Sequence, residues 1–255
     1  MLSWIRLVKY FFIKDIKSRY VGSGLGLLWT FILPILQILI YWFVFSSVMR
    51  ARPYGNAGIP YIWFLLSSFF FWLAFSEGLM RSSTVIIENA EIIKKVSFSN
   101  IVLPVSVTLS SYLSPMIGFL LFIIVYSVVI AFNLSIILVI PVLLIQIIFS
   151  IGLGILFSAL LPYLRDVGQV LGYFLQGLFF MSPIIYSIEA IPDKFRIIFY
   201  LNPITYFAAS YHRMILVGEG PPFSHIAVIC SLSAVSLAAG IFIFRKLSEG
   251  FADVL

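Results

Sequence analysis

Long apolar stretches separated by short polar segments set the organisation of this chain. A helix needs about 20 mostly apolar residues to cross the hydrocarbon core of a bilayer. Pro104 and Pro115 are expected to bend the third stretch, and Asn133 to mark the turn into the fourth. The chain is therefore predicted to be an all-α polytopic membrane protein, with residues 1–255 in a single transmembrane domain. Six stretches are predicted to span the membrane: 27–49, 60–80, 101–132, 135–161, 167–186 and 225–244.

The composition supports a surface that faces lipid. Of the 255 residues, 62% are hydrophobic and only 10% are charged, whereas about 25% of a typical soluble domain is charged. The aromatic content of 26 Phe, 13 Tyr and 5 Trp is more than a small core requires. Cys230 is the single cysteine, so no intrachain disulfide can form. The first 20 residues lack the apolar run of a signal peptide, and no cleaved leader is expected.

The distribution of basic residues predicts the orientation, because cytoplasmic loops of membrane proteins collect Lys and Arg. The side that holds both termini carries 11 of them: Arg6, Lys9, Lys14, Lys17, Arg19, Arg81, Lys94, Lys95, Arg165, Arg245 and Lys246. The other side carries 5: Arg50, Arg52, Lys194, Arg196 and Arg213. Both termini are thus predicted to be cytoplasmic, in a multi-pass protein of the inner (plasma) membrane. The net charge of +6 then reflects topology, and no nucleic-acid partner is expected.

Residues 1–22 are predicted to form an amphipathic helix in the cytoplasmic membrane interface. Asp15 falls within its apolar side and is expected to pair with Arg19, one turn later. On a helical wheel the basic side is formed by Arg6, Lys9, Lys14 and Lys17. The apolar side is formed by Trp4, Leu7, Val8, Phe11, Phe12 and Ile16.

Two further segments are neither spans nor loose loops. The cytoplasmic stretch 85–100 is predicted to contain a short helix with Glu88 and Glu91 early and Lys94 and Lys95 late, the order that the helix dipole favours. The external stretch 187–224 holds apolar runs on both sides of Asn202–Pro203 that are too short to span. Re-entrant helices that enter the membrane from outside fit this external stretch best.

The chain lacks its own source of energy. No segment matches the phosphate-binding pattern G-x-x-x-x-G-K-[ST]. His212 and His225 have no acidic or thiol neighbours at ligand spacing, so no metal site, catalytic residue or bound cofactor is expected. The chain is expected to move something across the bilayer rather than react with it. Because ion-driven carriers place ionisable groups deep in their spans and this chain has almost none, a partner ATPase that binds ATP and Mg is the expected energy source.

Two charged pairs near helix ends are interpreted as structural. Glu77 has Arg81 one turn later, near the cytoplasmic end of the second span. Arg165 and Asp166 are adjacent in the turn between spans four and five.

Four blocks of sequence resemble the membrane subunit of ABC-2-type exporters, particularly the polysaccharide permeases that serve O-antigen, capsule and teichoic acid. The blocks are 14–34 (KDIKSRYVGSGLGLLWTFILP), 88–104 (ENAEIIKKVSFSNIVLP), the pair 163–167 (YLRDV) and 180–186 (FMSPIIY), and Asn202–Pro203. They occur in family order and spacing, and the likeness runs from about residue 4 to the end. The family often has Arg-Asp where this chain has Lys14–Asp15, and Phe-Pro where it has Phe98–Ser99.

The resemblance implies an assembly and a set of roles. Two copies of this chain would pair as a homodimer and bind two copies of a separate ATPase, and a lipid-linked glycan would pass between the protomers. The coupling segment would be formed by Glu88, Asn89, Glu91, Ile92, Lys94, Lys95 and Phe98. The gate helix would use Lys14, Asp15, Lys17, Arg19 and Tyr20, with Arg165 and Asp166 in a cytoplasmic turn. The external re-entrant closure would use Ser182, Pro183, Asn202 and Pro203.

Aromatic side chains are candidates for the glycan path, because sugar C–H faces stack on rings. The candidates are Tyr41, Trp42, Phe70, Phe71, Trp72, Tyr173 and Phe174, although aromatic residues in spans more often face lipid or pack internally. The alternatives are an exporter of a small lipophilic compound with the same architecture, an integral-membrane transferase, and a passive channel.

Overall fold

The computed structural model describes residues 4–19, 28–50, 59–130 and 132–255, and the regular structure in these ranges is helical. The helices are α1 Trp4–Ser18, α2 Trp29–Trp42, α3 Tyr61–Glu88, α4 Ala90–Lys95, α5 Val102–Val129, α6 Val139–Leu160, α7 Val167–Phe180, α8 Asp193–Leu201, α9 Pro203–His212, α10 Phe223–Ser248 and α11 Phe251–Val254. π-helical turns extend α2 through Phe43–Val48 and α9 through Arg213–Val217. Short 3₁₀ helices occupy Leu134–Leu138 and Ile188–Ala190.

Four of the helical segments are long and apolar enough to cross a membrane: Tyr61–Glu88, Val102–Val129, Leu134–Leu160 and Phe223–Ser248. Two shorter apolar helical segments, Ile32–Val48 and Val167–Phe180, fall within the first and fifth predicted spans. Helix α7 ends at Phe180, before the predicted end of the fifth span at 186, and the chain then turns. Pro183 lacks a backbone N–H and disfavours helical backbone at Ser182, which accounts for the early end.

Helix α3 lies at the centre of the bundle and contacts α5, α6, α7 and α9. Most of its side chains are buried, including a run from Ser67 to Trp72. Helices α6 and α10 pack most closely, because both present glycine at their contact. A Cβ atom on Gly240 would collide with the carbonyl oxygen of Gly152, and one on Gly152 would collide with the backbone of α10. Small residues at such positions let two backbones approach each other within a membrane protein.

The bundle has two distinguishable ends. At the end that carries α4, α1 and the C-terminal helices share one apolar cluster, which includes Phe11, Phe244 and Phe251. The turn after α6 joins this end, since the hydroxyl of Tyr163 donates to the carbonyl of Leu247 at 2.7 Å. We call this the α4 end. At the opposite end, the α9 end, Tyr61, residues 181–187 and the π-helical turn after α9 meet.

The stretch 85–100 is organised differently from its prediction. Helix α3 continues through Glu88, so this residue ends a long helix rather than beginning a short one. Asn89 interrupts the path: its backbone leaves the helical region, and its side-chain Nδ2 donates to the carbonyl of Val85 at 2.9 Å. Helix α4 then has Glu91 in its first turn and Lys94 and Lys95 in its last, which is the expected charge order.

Candidate gate, coupling and cavity sites

Four charged side chains join α1 to α3 at the α4 end. Arg81 Nη2 donates to Asp15 Oδ1 at 2.6 Å, and Arg81 Nη1 donates to Asp15 Oδ2 at 3.1 Å. Arg19, directly after α1, donates from Nη1 to Glu77 Oε1 at 2.7 Å and from Nε to Asp15 Oδ2 at 3.2 Å. We call Asp15, Arg19, Glu77 and Arg81 the charged cluster. Two positive and two negative charges leave it neutral.

Two serines of α5 complete the charged cluster. Ser110 Oγ donates to Asp15 Oδ2 at 2.5 Å, and Arg19 Nη2 donates to Ser111 Oγ at 3.0 Å. Burial disfavours the ionised form of Asp15. The hydrogen bonds from Arg81 and Ser110, together with the charges of Arg81 and Arg19, outweigh burial and hold the pKa of Asp15 below its usual value. Asp15 is therefore ionised at neutral pH, and the cluster connects three helices.

The observed pairing extends the one expected from sequence. The Asp15–Arg19 pair forms at 3.2 Å. The Glu77–Arg81 pair is the longest contact in the cluster, at 3.8 Å, because Arg81 points to Asp15 and Glu77 to Arg19. The sequence spacing indicates an acid and a base one turn apart in each pair, and the packing of α1 against α3 makes the cross-helix contacts the shorter ones.

The predicted coupling segment contacts α1 directly. The rings of Phe11 and Phe98 stack at a centroid distance of 5.5 Å, and Lys14 Nζ lies 3.4 Å from Asn89 Oδ1. On α4 itself no side chain is buried. The Glu91 side chain is 89% exposed, and its contact with Lys95 is long, at 3.5 Å. The charged residues of α4 are thus exposed, while Ile93 packs against the apolar cluster and the residues on either side of α4 contact α1.

A cavity of about 1050 Å³ opens between α2, α3, α5 and α7. The charged cluster contributes Arg19, Glu77 and Arg81 to one part of its wall. The remaining wall combines aromatic and aliphatic side chains with uncharged polar ones. Its aromatic members are Trp29, Tyr41, Trp72, Phe179 and Phe180, and its polar members include Ser18, Gln37, Ser76, Ser114 and Gln176.

At the α9 end, Asn202 connects the turn after α7 to the start of α9. Its Nδ2 donates to Ser182 Oγ at 2.8 Å and to the carbonyl of Met181 at 2.9 Å, and its Oδ1 accepts from the backbone N–H of Ile204 at 2.9 Å. The last bond caps α9, in which Pro203 occupies the first turn, where a missing N–H has no cost. Four predicted closure residues are therefore close together: Ser182, Pro183, Asn202 and Pro203.

Buried His212 links this turn to α3. One of its ring nitrogens, Nε2, lies 2.7 Å from the carbonyl oxygen of Pro183, and the other, Nδ1, lies 2.7 Å from Ser67 Oγ. The ring also stacks on Phe64 at a centroid distance of 4.1 Å. Tyr61 adds a parallel link, donating to the carbonyl of Ile185 at 2.8 Å. The 181–187 turn is consequently bound to α3 as well as to α9.

Comparison with known proteins identifies the family of this arrangement. Residues 6–215 match the model of the ABC-2 type transporter family, which is most of the chain. The chain belongs to the ABC-2 type transporter family. The sequence-based resemblance to this family is confirmed.

Three relatives of this ABC-2 chain match it almost end to end. The O-antigen export system permease protein RfbA of Klebsiella pneumoniae is 32% identical over 247 residues, which cover 95% of this chain and 92% of the relative. RfbA of Myxococcus xanthus is 28% identical, with 94% and 92% covered. The polysialic acid transport protein KpsM of Escherichia coli is 24% identical, with 95% and 93% covered. The ABC-2 chain is accordingly an integral, multi-pass membrane protein.

The aromatic path candidates of the ABC-2 chain fall into three groups. Tyr41 and Trp72 line the cavity. Phe70 and Phe71 are buried in the bundle, and the ring of Phe71 stacks on Tyr211 at 3.6 Å between centroids. The exposed candidates that do not line the cavity are Trp42, Tyr173 and Phe174.

Other lining residues were not selected from the sequence. Gln37 and Gln176 have a recognisable signal, since each is a polar residue within an apolar helix, where such residues seldom face lipid. Trp29, Phe179 and Phe180 have no such signal, because an aromatic residue in a span is equally compatible with lipid contact.

The remaining predicted sites lie at the α4 end or outside the described residues. Arg165 and Asp166 are exposed in the turn before α7, and their side chains form no ion pair with other described residues. Lys17 is exposed on α1. Ile92 is partly buried and Lys94 exposed on α4. Tyr20 lies outside the described residues.

Proposed function

We propose that this ABC-2 chain is the transmembrane subunit of an ATP-driven exporter that moves a lipid-linked polysaccharide across the inner membrane. The near end-to-end match with two O-antigen export permeases and a polysialic acid transporter carries this proposal. The cavity with its five aromatic and several amide and hydroxyl side chains supports it, since these groups suit sugar rings. Within the assembly the chain is a permease and not an enzyme.

The proposed topology has six spans with both termini in the cytoplasm. In addition to the four long segments, α2 with its π-helical extension and α7 would form the other two spans. Helix α7, at 14 residues, is about 21 Å long at 1.5 Å per residue. The bases predicted to be cytoplasmic include Lys14 on α1, Lys94 on α4 and Arg245 in the last turn of α10, all at the α4 end, and this supports placing that end in the cytoplasm. Helices α8 and α9 would then form the external re-entrant pair.

The proposed energy source is a separate ATPase, bound in two copies by a homodimer of this chain. Helix α4 would dock on the ATPase, since its charged side chains are exposed and its charges are ordered along the helix. Movement of α4 would reach α1 through Phe98 and Phe11. Helix α1 would gate the cytoplasmic entrance, because Ser18 and Arg19 border the cavity. No nucleotide or Mg is bound by this chain in the proposal.

A pull-down from detergent-solubilised native membranes tests the proposal. The tagged chain should bring down a stoichiometric ATPase of separate sequence, and residues 90–95 in scrambled order should abolish this recovery while the permease still inserts. Deletion of the chain should stop the appearance of a surface glycan and leave its lipid-linked precursor inside the cell. Recovery of a homodimer without ATP hydrolysis, or unchanged glycan export after deletion, would refute the proposal.

A second assay addresses the cargo. Purified permease–ATPase complex should hydrolyse ATP faster when a lipid-linked glycan is supplied. Stimulation by small lipophilic compounds and not by the glycan would instead favour the drug-exporter alternative.

A further inference from the structure

The charges that line the cavity are few and already neutralised. Among the described residues of its wall, the charged side chains are those of Arg19, Arg81 and Glu77. Both arginines donate to Asp15 and lie near Glu77, at N–O distances between 2.6 and 3.8 Å. The charges of both guanidinium groups are thus compensated by these two carboxylates, with which an incoming anion would have to compete.

The rest of the wall offers uncharged hydrogen-bonding groups. Helix α2, its π-helical extension and α7 contain no Asp, Glu, Lys or Arg at all. They contribute two amide side chains to the cavity, Gln37 and Gln176, each of which both donates and accepts hydrogen bonds.

A wall without a free cation is expected to favour a neutral polymer over an acidic one. A carboxylate that enters a low-dielectric site without a counter-charge carries a large desolvation cost. An acidic polymer would present such a group on successive sugars. Hydroxyl groups of neutral sugars can exchange hydrogen bonds with Gln37, Gln176 and the serines, while their C–H faces cover Tyr41 and Trp72.

We propose that the sugar polymer exported through this cavity is uncharged along its repeat units, whatever charge its lipid anchor carries. This inference rests on the proposed export function. It adds the chemical class of the repeat unit, selected by a wall whose cations, among the residues that the structure describes, are both paired.

The test uses the reconstituted permease–ATPase complex and two polyprenyl-diphosphate-linked oligosaccharides of equal length and linkage. One contains hexoses only, and the other has alternate hexoses replaced by hexuronic acids. The neutral compound should stimulate ATP hydrolysis and enter the lumen of proteoliposomes. The acidic compound should be transported at about one tenth of that rate or at a lower rate. Equal transport, or a preference for the acidic compound, would overturn this inference and leave the export function standing. Failure of both compounds, with basal ATP hydrolysis present, would contradict the export function itself.

Variants separate selection by the cavity from selection elsewhere in the complex. Gln176→Lys places an unpaired cation on the wall and should raise transport of the acidic compound relative to the neutral one. Gln169→Lys is the matched control, since it lies two turns earlier on the same helix, outside the lining. An unchanged ratio in Gln176→Lys, or an equal change in Gln169→Lys, would assign the selectivity to another part of the complex and overturn the inference.

Discussion

Arg81 of α3 binds the carboxylate of Asp15 on α1 through two hydrogen bonds, one from each Nη atom to a different carboxylate oxygen, at 2.6 and 3.1 Å. Such two-pronged contact between a guanidinium and a carboxylate fixes orientation as well as distance. Because the Asp15 side chain is only 12% exposed, the pair is partly shielded from water and from salt. It therefore determines where the end of α1 lies relative to α3, next to the mouth of the cavity.

Replacing Asp15 by Asn should loosen α1. Arg81 and Arg19 would each lose a charged partner, at a cost of about 1–3 kcal/mol, and the open population of α1 should rise about tenfold or more. Limited trypsin digestion in detergent measures this opening. Although the side chains of Lys14 and Lys17 are exposed, trypsin can cut the backbone at these residues only when α1 detaches and its helix opens. Asp166→Asn, in an exposed turn, is the control. Equal cleavage rates in the two variants would show that the ion pair does not hold α1.

Replacing Glu91 by Lys should weaken binding of the ATPase without disturbing the fold. Glu91 is exposed on α4, and its contact with Lys95 is weak. Glu88 provides a contrast, since it accepts a hydrogen bond from Thr84 at 2.6 Å at the end of α3. Co-purification of the ATPase should fall several-fold in Glu91→Lys and little in Glu88→Gln. Full recovery of the ATPase with Glu91→Lys would argue against docking through α4.

Replacing Phe98 by Ala should uncouple ATP hydrolysis from transport. The substitution removes the stack on Phe11, worth about 0.5–1.5 kcal/mol beyond its buried area, and leaves α4 itself intact. The ATPase should still bind, but the glycan transported per ATP hydrolysed should decrease. Phe98→Tyr keeps an aromatic ring and should retain most of the coupling. A normal ratio in Phe98→Ala would exclude the stack as a transmission contact.

Replacing Asn202 by Ala should destabilise the α9 end. The change removes the cap of α9 and leaves the carbonyl of Met181 and the hydroxyl of Ser182 without this donor, a loss of about 1–3 kcal/mol. Asn133→Ala is the comparison, since Asn133 caps through a single bond from the backbone N–H of Ser135, worth about 1 kcal/mol. Thermal unfolding in detergent should show the larger decrease in midpoint for Asn202→Ala. The reverse order would contradict this account.

Replacing Gly240 by Ala should push α6 and α10 apart. The added methyl group would collide with the carbonyl oxygen of Gly152, and overpacking of this kind costs about 1–3 kcal/mol. Gly177→Ala is the matched control, because its Cβ would meet nothing within 4 Å and alanine favours a helix by up to about 1 kcal/mol. The unfolding midpoint should fall in the first variant and stay level or rise in the second.

The hydrophobic pattern predicted the helices well because the apolar interior of a bilayer offers the backbone no hydrogen-bond partners. A backbone that crosses it must satisfy its hydrogen bonds internally, so each long apolar run becomes a helix. The four long helices and the amphipathic α1 follow from local rules of this kind. Hydropathy alone placed the end of the fifth span at 186 and missed the effect of Pro183, and at Glu88 α3 continues further than polarity indicated.

The sequence by itself determined the helical class, the amphipathic helix, the charge order of α4 and the family. Only the tertiary structure decided which charges meet and which aromatic rings face the cavity. Periodicity describes one helix at a time, and it predicted Glu77 with Arg81 because they share a helix. The choice of Asp15 for Arg81 and of Arg19 for Glu77 depends on how α1 packs against α3 and α5. In the same way, Phe71 and Trp72 are adjacent aromatic residues that the sequence does not distinguish. Helix packing places Trp72 at the cavity and Phe71 against Tyr211.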